Sequence, residues 1–378
     1  MNPLAASILF HAIGAASAAC CYVPQKRVRG WSWQSYWLAQ ASFCWLLLPV
    51  AGAFLTVPDF WQVVRDAPRD AMWRTFLLGA AYGIGGTAFG VAIRYVGFSV
   101  TYATAIGIST VVGTAYAIAK GKTGLADTAA NLAEFWARNG SVWVVAGIAV
   151  GVAGVVLCGV SGRWKERDQT ASGAVAGAGR AWLGLALCLV AGLLSAVYGI
   201  SLAEGEPIAE LARWYGDKHK VMGIDAATFS NNAIYPFANG GAFLTTSIYC
   251  LILHFRHRTL GEVVALPEGT ERACLPINWA MAVLTGCLWY GQFFFYGFGH
   301  HFIMKVAGFE QTCWAIHMIL LILLGTLIGV AFGEWRGVRP ITRRALVAAV
   351  ALLIIGKLML DYGNLLGSRQ PAAETRQL

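Results

Sequence analysis

Charge is what this chain lacks. Only 12% of its 378 residues are Asp, Glu, Lys or Arg, while 57% are hydrophobic. Soluble proteins carry about 25% charged residues, so a soluble domain of any size is excluded. Nucleotide and hydrolase signatures are missing too. There is no Walker loop, hence no ATP-driven pump on this chain, and no H-E-x-x-H or G-x-S-x-G. The GIGG at Gly83–Gly86 lies in an apolar segment, without the strand and acidic partner of a dinucleotide fold. The nine cysteines form no C-x-x-C pair; Cys20 and Cys21 are adjacent. They read as small apolar residues rather than metal ligands or a disulfide framework. No enzyme, catalytic residue, metal or cofactor is expected. The first apolar segment has no basic n-region and no clean A-x-A site, so it reads as a retained helix.

Long apolar runs are abundant instead. A bilayer-spanning helix needs about 20 residues, and ten segments qualify: 4–24, 37–57, 75–95, 98–118, 142–161, 181–202, 229–253, 277–299, 312–332 and 345–366. The 44 glycines suit close helix packing in lipid. The net charge of +9 resides in loops and favours an anionic leaflet over nucleic acid as partner. Fifteen Lys and Arg lie in the odd-numbered loops, against ten in the even-numbered loops and two in the tail. The positive-inside tendency then puts odd loops in the cytoplasm and both termini outside.

The chain repeats itself. Segment 3 carries Gly79, Tyr82, Phe89 and Gly90; segment 8 carries Gly286, Trp289, Tyr296 and Gly297 at identical spacing. Gly14, Ser17 and Ala18 of segment 1 recur as Gly192, Ser195 and Ala196 of segment 6. Segment 1 thus overlays 6, and 3 overlays 8. Two halves of five helices must insert in opposite senses, an arrangement of transporters that bind near mid-membrane between the halves. The expected fold is an all-α polytopic membrane protein of ten transmembrane helices as two inverted five-helix repeats. Residues 1–168 form the first half, 169–179 an Ala/Gly/Ser-rich linker, 180–366 the second half and 367–378 a polar tail. The longest polar loop, Glu204–Asp225, contains Pro207, which can open a short amphipathic helix covering Ile208, Leu211 and Trp214. That helix would lie along the interface or cover the outer mouth of a pathway.

The chain is organised around Gly286–His301, GCLWYGQFFFYGFGHH. At helical spacing Trp289, Gln292, Phe293, Tyr296 and His300 share one face. Aromatic rings stack on sugar C–H faces and an amide pairs with hydroxyls; the same residues also suit bundle packing. Tyr82, Thr87 and Phe89 mirror this face from the other half, and Asn239 stands in a Gly-rich stretch of segment 7. Ionisable groups inside spans point to function. His11 lies in segment 1, and Glu310, Trp314 and His317 share a face of segment 9. An imidazole titrates near neutrality and can load and release a proton. Lys357 and Asp361, at i and i+4, read as a neutralising pair. Arg94 and Glu334, at helix ends, read as topology or gate residues.

Four runs carry a resemblance: HAIGAASAACCYVPQKRVRGWSW (His11–Trp33), IRYVGFSVTYATAIGIS (Ile93–Ser109), LWYGQFFFYGFGH (Leu288–His300) and WAIHM (Trp314–Met318). They resemble the L-rhamnose–proton symporter family of the drug/metabolite transporter superfamily. The resemblance implies ten transmembrane helices, an inner-membrane location and import of a 6-deoxyhexose driven by protons. It also places family histidines at His11, His300 and His317 and an acidic residue at Glu310. The loop between segments 6 and 7 is longer here than in the enterobacterial form, and YGIGGTAFG lacks its asparagines. The resulting expectation is a secondary transporter of a neutral deoxysugar, most simply L-rhamnose. Trp289, Gln292, Tyr296, Tyr82 and Asn239 bind sugar, and Glu310, His317 and His11 couple the proton. Its partners are the sugar, the proton and the bilayer, with no obligate protein partner. An exporter or facilitator of another metabolite, or a non-transporting sensor, would move no proton with sugar.

Overall fold

The computed structural model describes residues 2–96, 98–121, 124–170, 181–267, 269–306, 309, 312–331, 333 and 335–369. The first helix, α1 (Pro3–Cys20), starts where Asn2 caps it: Asn2 Oδ1 accepts from the Leu4 N–H at 2.9 Å. Pro3 costs this helix no hydrogen bond, because the first turn has none to lose. The second unit is continuous but irregular. It runs through α2 (Trp33–Ala41), a π-helical segment (Ser42–Leu47) and α3 (Leu48–Thr56). Pro49 has no N–H for the Trp45 carbonyl and its ring crowds that carbonyl, which favours a wider turn just before it.

The remaining α-helices are α4 (Phe60–Asp66), α5 (Arg69–Val96), α6 (Phe98–Lys120), α7 (Thr128–Ala137), α8 (Ser141–Thr170), α9 (Ala181–Glu204), α10 (Glu206–Tyr215), α11 (Tyr235–His257), α12 (Cys274–Ile303), α13 (Cys313–Ala331) and α14 (Pro340–Ser368). Between α10 and α11 lie a two-residue hairpin, Lys220–Val221 with Ile224–Asp225, and a 3-10 helix over Ala226–Ala233. Each of the ten expected segments falls on one of the long helical units. The short α4 and α7 are too brief for an apolar-run argument. Of the expected linker at 169–179, residues 169–170 continue α8, and the rest, with most of the tail, lies outside the described residues.

Nine helical units among the described residues are long and apolar enough to cross a membrane. The chain is therefore an all-α polytopic membrane protein. The 30-residue α12 is not among the nine. Its Trp, Tyr, Gln, His and Gly residues dilute its hydropathy without shortening it. These residues build the centre of the protein.

Small residues decide which helices touch. α1 packs on α12 and α13, α9 on α5 and α6, and α8 along α14. In the last pair the backbones meet directly. A Cβ on Gly147 would lie 2.8 Å from the Gly356 carbonyl oxygen, and one on Gly356 would lie 2.6 Å from the Gly151 nitrogen. Without water competing for backbone groups, such contact supplies dispersion that larger side chains would prevent. The α8–α14 pair is also latched at one end. Asp168 accepts from the Arg339 N–H at 3.0 Å and the Thr342 hydroxyl at 2.6 Å, and pairs with the Arg339 guanidinium. The Thr342 hydroxyl and Arg339 hold the Asp168 carboxyl below its ordinary pKa. The latch is therefore formed above the ordinary carboxylate range and is lost as pH falls through that lowered value.

The short α10 is amphipathic as expected, but its faces differ from the expectation in one residue. Ile208, Ala209 and Ala212 are buried, against a cluster containing Val57, Phe60 and Val63, and Trp214 is exposed. Lys357 and Asp361 pair on α14, and Arg94 is exposed at the end of α5.

Gly79 is among the sharpest packing constraints, since a Cβ there would lie 2.0 Å from the Ala238 carbonyl oxygen on α11. Gly79→Leu should destabilise the fold by about 1–3 kcal/mol or more. The check is the apparent melting temperature of the detergent-solubilised protein. Gly261→Ala, where a Cβ meets nothing within 4 Å, should leave it unchanged.

Candidate functional site

Five helices bring aromatic rings to one point, α13 among them through Trp314. From α12, Trp289, Phe293 and Tyr296 project on the face predicted by helical spacing. From α5 come Tyr82 and Phe89, from α6 Tyr102, and from α9 Tyr198. Tyr22, just past α1, completes the ring. Rings are close: Tyr82 to Tyr198 4.4 Å, Tyr198 to Phe293 4.9 Å, Phe89 to Tyr102 5.1 Å and Tyr22 to Trp289 5.6 Å between centroids. They line a cavity of about 70 Å³. Ser195, Gln292 and His317 are polar members of its wall; Ile106, Met318 and Leu321 are apolar ones.

Backbone proximity at two glycines explains how α1 brings His11 into this centre. A Cβ on Gly14 would lie 3.0 Å from the Gln292 carbonyl oxygen and 3.4 Å from the His317 ring. A Cβ on Gly299 would lie 2.7 Å from the His11 ring. The two imidazoles therefore meet. His11 Nδ1 is 3.3 Å from His317 Nδ1, and both side chains are buried. His11 Nε2 is 3.3 Å from Cys313 Sγ, and His300 Nδ1 is 3.6 Å from the same sulfur. On the cavity side, His317 Nε2 is 3.5 Å from the Gln292 amide nitrogen. Tyr296 covers the group edge-on, 5.3 Å from His11 and 5.1 Å from His317 between ring centroids.

A second recess, of about 680 Å³, adjoins the first behind Tyr296 and Trp314. Lys120, Glu206 and Glu210 stand on its wall, as do His300 and Cys313. Trp314 is fixed between the two spaces. Its Nε1–H donates to the Ser109 carbonyl at 3.2 Å, and Gly113 and Gly199 lie against its ring. The α10 helix borders this vestibule through Glu206, Pro207 and Glu210.

Of the residues picked from sequence, Trp289, Gln292, Tyr296, Tyr82 and His317 line the central cavity. Asn239 stands one layer behind: its Oδ1 accepts from the Tyr198 hydroxyl at 2.7 Å, and its buried Nδ2 has no hydrogen-bond partner among the described residues. His11 also stands behind the wall, in contact with His317. Thr87 turns away, donating to the Gly83 carbonyl at 2.9 Å and approaching Thr246 of α11. Glu310 and Glu334 lie outside the described residues. Sequence reasoning missed Tyr22, Tyr102, Tyr198 and Cys313. Cys313 stands four residues before His317, so helical spacing puts both on one face. Tyr198 follows the repeated Ser195 by three residues.

The model of the L-rhamnose-proton symport protein family matches residues 1–364. The chain is 32% identical to the L-rhamnose-proton symporter of Cronobacter sakazakii over 362 residues, covering 94% of this chain and 98% of that protein. It is 30% identical to the symporter of the same name from Pectobacterium atrosepticum, covering 96% and 98%. The Shigella dysenteriae protein of that name is 31% identical, with 94% and 98% covered.

Tyr198 holds Asn239 by a single buried hydrogen bond. Tyr198→Phe should leave that amide without its partner and lower stability by about 1–3 kcal/mol, read as a fall in the melting temperature of the purified protein.

Proposed function

The chain belongs to the L-rhamnose-proton symport protein family, and from that premise we propose that it carries L-rhamnose, a neutral 6-deoxyhexose, inward with a proton across the bacterial inner membrane. It is a transporter and not an enzyme. One observation carries the reading: the aromatic cavity and the histidine pair meet at Gln292 and His317. A sugar bound in the cavity would touch the residue that holds the proton.

The chemistry of the wall fits the ligand. Trp289, Tyr82 and Tyr296 offer ring faces to sugar C–H groups, and the Gln292 amide and Tyr hydroxyls pair with sugar hydroxyls. Phe89, Met318 and Leu321 offer an apolar seat for the terminal methyl of a deoxysugar. Asn239 acts through Tyr198, or directly once Tyr198 moves. Glu310, His317 and His11 are the proton carriers in this reading.

The architecture in the proposal is ten spans in two inverted halves, residues 1–168 and 180–366, with α12 as the tenth span. Paired contacts support it. Gly79 on α5 meets Ala238 of α11, and its repeat partner Gly286 on α12 meets Gln40 and Phe43 of the second helical unit. Gly90 on α5 meets Trp37 of α2, and its partner Gly297 meets Tyr235 of α11. α1 packs on α12 and α13 as α9 packs on α5 and α6. Each contact thus recurs with the halves exchanged. Alternating access then follows as rocking of one half against the other about the cavity. A proton and a sugar load from one side, and both leave on the other.

Adding L-rhamnose to lightly buffered, de-energised cells expressing the protein should alkalinise the medium. Silence with every sugar, while the protein is in the membrane, would remove symport. Glu310→Gln should abolish proton-driven accumulation and spare exchange of internal for external sugar. Wild-type accumulation in that variant would take Glu310 out of the mechanism.

A further inference from the structure

The histidine pair is buried, so a proton needs a route to it. We propose that Cys313 and His300 are that route: a hydrogen-bonded relay, His300–Cys313–His11–His317, carries the proton from the vestibule to the sugar cavity. The relay rests on the symport reading and adds to it two residues and a direction.

The four side chains join the two spaces. His300 and Cys313 line the vestibule, and His317 lines the cavity. Between them the contacts run 3.6 Å from His300 Nδ1 to Cys313 Sγ, 3.3 Å from Sγ to His11 Nε2 and 3.3 Å from His11 Nδ1 to His317 Nδ1. His11 thus uses one ring nitrogen toward the vestibule and the other toward the cavity. Facing Nδ1 atoms can share only one hydrogen between neutral rings, so one ring donates and the other accepts. The chain of bonds can therefore point either way, which a proton relay requires.

The transfer balances. A proton taken up by His300 from vestibule water leaves from its Nδ1 to the sulfur as the Cys313 S–H passes to His11 Nε2. The His11 Nδ1–H passes at the same time to His317 Nδ1. His300 ends neutral, Cys313 is again a thiol, His11 is neutral as its other tautomer, and His317 carries the charge. Before the next proton passes, His300 and His317 exchange ring protons with water, and His11 must regain its Nδ1–H and the Cys313 S–H must turn back toward His11 Nε2.

Protonated His317 donates from both nitrogens, so the Gln292 amide must turn its oxygen to Nε2 and its NH₂ toward the cavity. The proton-loaded state thereby offers the sugar hydroxyls a donor pair. Other groups face the relay: the Tyr296 hydroxyl, 3.9 Å from Cys313 Sγ, Lys357 of α14, paired with Asp361, and Glu206 across the vestibule.

Cys313→Ala breaks the wire, and Cys313→Ser keeps a hydroxyl that can both donate and accept. In cells carrying equal amounts of protein, Cys313→Ala should cut the initial rate of L-rhamnose-dependent proton uptake about tenfold or more. Counterflow of labelled L-rhamnose, which needs no net proton movement, should stay near wild type. Cys313→Ser should restore proton uptake. Wild-type proton uptake in the alanine variant overturns the relay. So does joint loss of counterflow and uptake, or an inactive serine variant, since either makes Cys313 a packing residue. Absence of sugar-dependent proton uptake in the wild-type protein instead overturns the symport reading itself.

Discussion

The centre of this protein depends on glycines that let α1 and α12 touch. Gly14 sits 3.0 Å, measured from an added Cβ, from the Gln292 carbonyl oxygen, and Gly299 sits 2.7 Å from the His11 ring. A methyl group at either place would push the helices apart and separate His11 from its neighbours. The same contact admits Ser17, whose hydroxyl donates to the Leu288 carbonyl at 2.7 Å. Helix approach, buried hydrogen bonding and the placing of the imidazoles are thus one event, not three. In a bilayer the hydrophobic effect does not drive helices together, so this close fit and the bonds it permits carry the association.

The glycines also explain why an aromatic helix can occupy the middle of the bundle. A run with Trp289, Tyr290, Phe293, Phe294, Phe295 and Tyr296 is bulky on every face. Its neighbours must be slim. The second helical unit supplies backbone at Gln40 and Phe43 against Gly286, and α1 supplies Gly14. Edge-to-face contacts then fill the remaining space, as where Trp45 meets Trp289 with centroids 5.2 Å apart. The rings that hold the bundle together are the rings that wall the cavity.

The polar groups are arranged by a different rule. Water is scarce at the centre, so a buried donor without a partner is costly. Most are paired: Trp314 with Ser109, Tyr198 with Asn239, Tyr235 with the Phe293 carbonyl. Among the described residues, Asn239 Nδ2 and the indole nitrogens of Trp37 and Trp45 have no hydrogen-bond partner, and none of the three residues lines the cavity. Trp45 stands at the π-helical turn that Pro49 favours.

The sequence alone determined the class, the long helices and the key face of α12. Low charge and ten apolar runs leave few alternatives, and a period of 3.6 puts Trp289, Gln292, Phe293 and Tyr296 together without any knowledge of neighbours. The repeated glycine spacing also suggested which segments overlay. It could not say where those glycines would be touched or by what, because a contact partner on another helix leaves no trace in local spacing. The turning of Thr87 toward α11, the retreat of Asn239 behind Tyr198 and the exposure of Trp214 were decided by those partners. So was the meeting of His11 with His317, residues 306 positions apart. Periodicity fixes a direction on one helix. Only packing between helices decides which directions converge, and here the convergence of α1, α12 and α13 turned three isolated histidines and a cysteine into a connected chain.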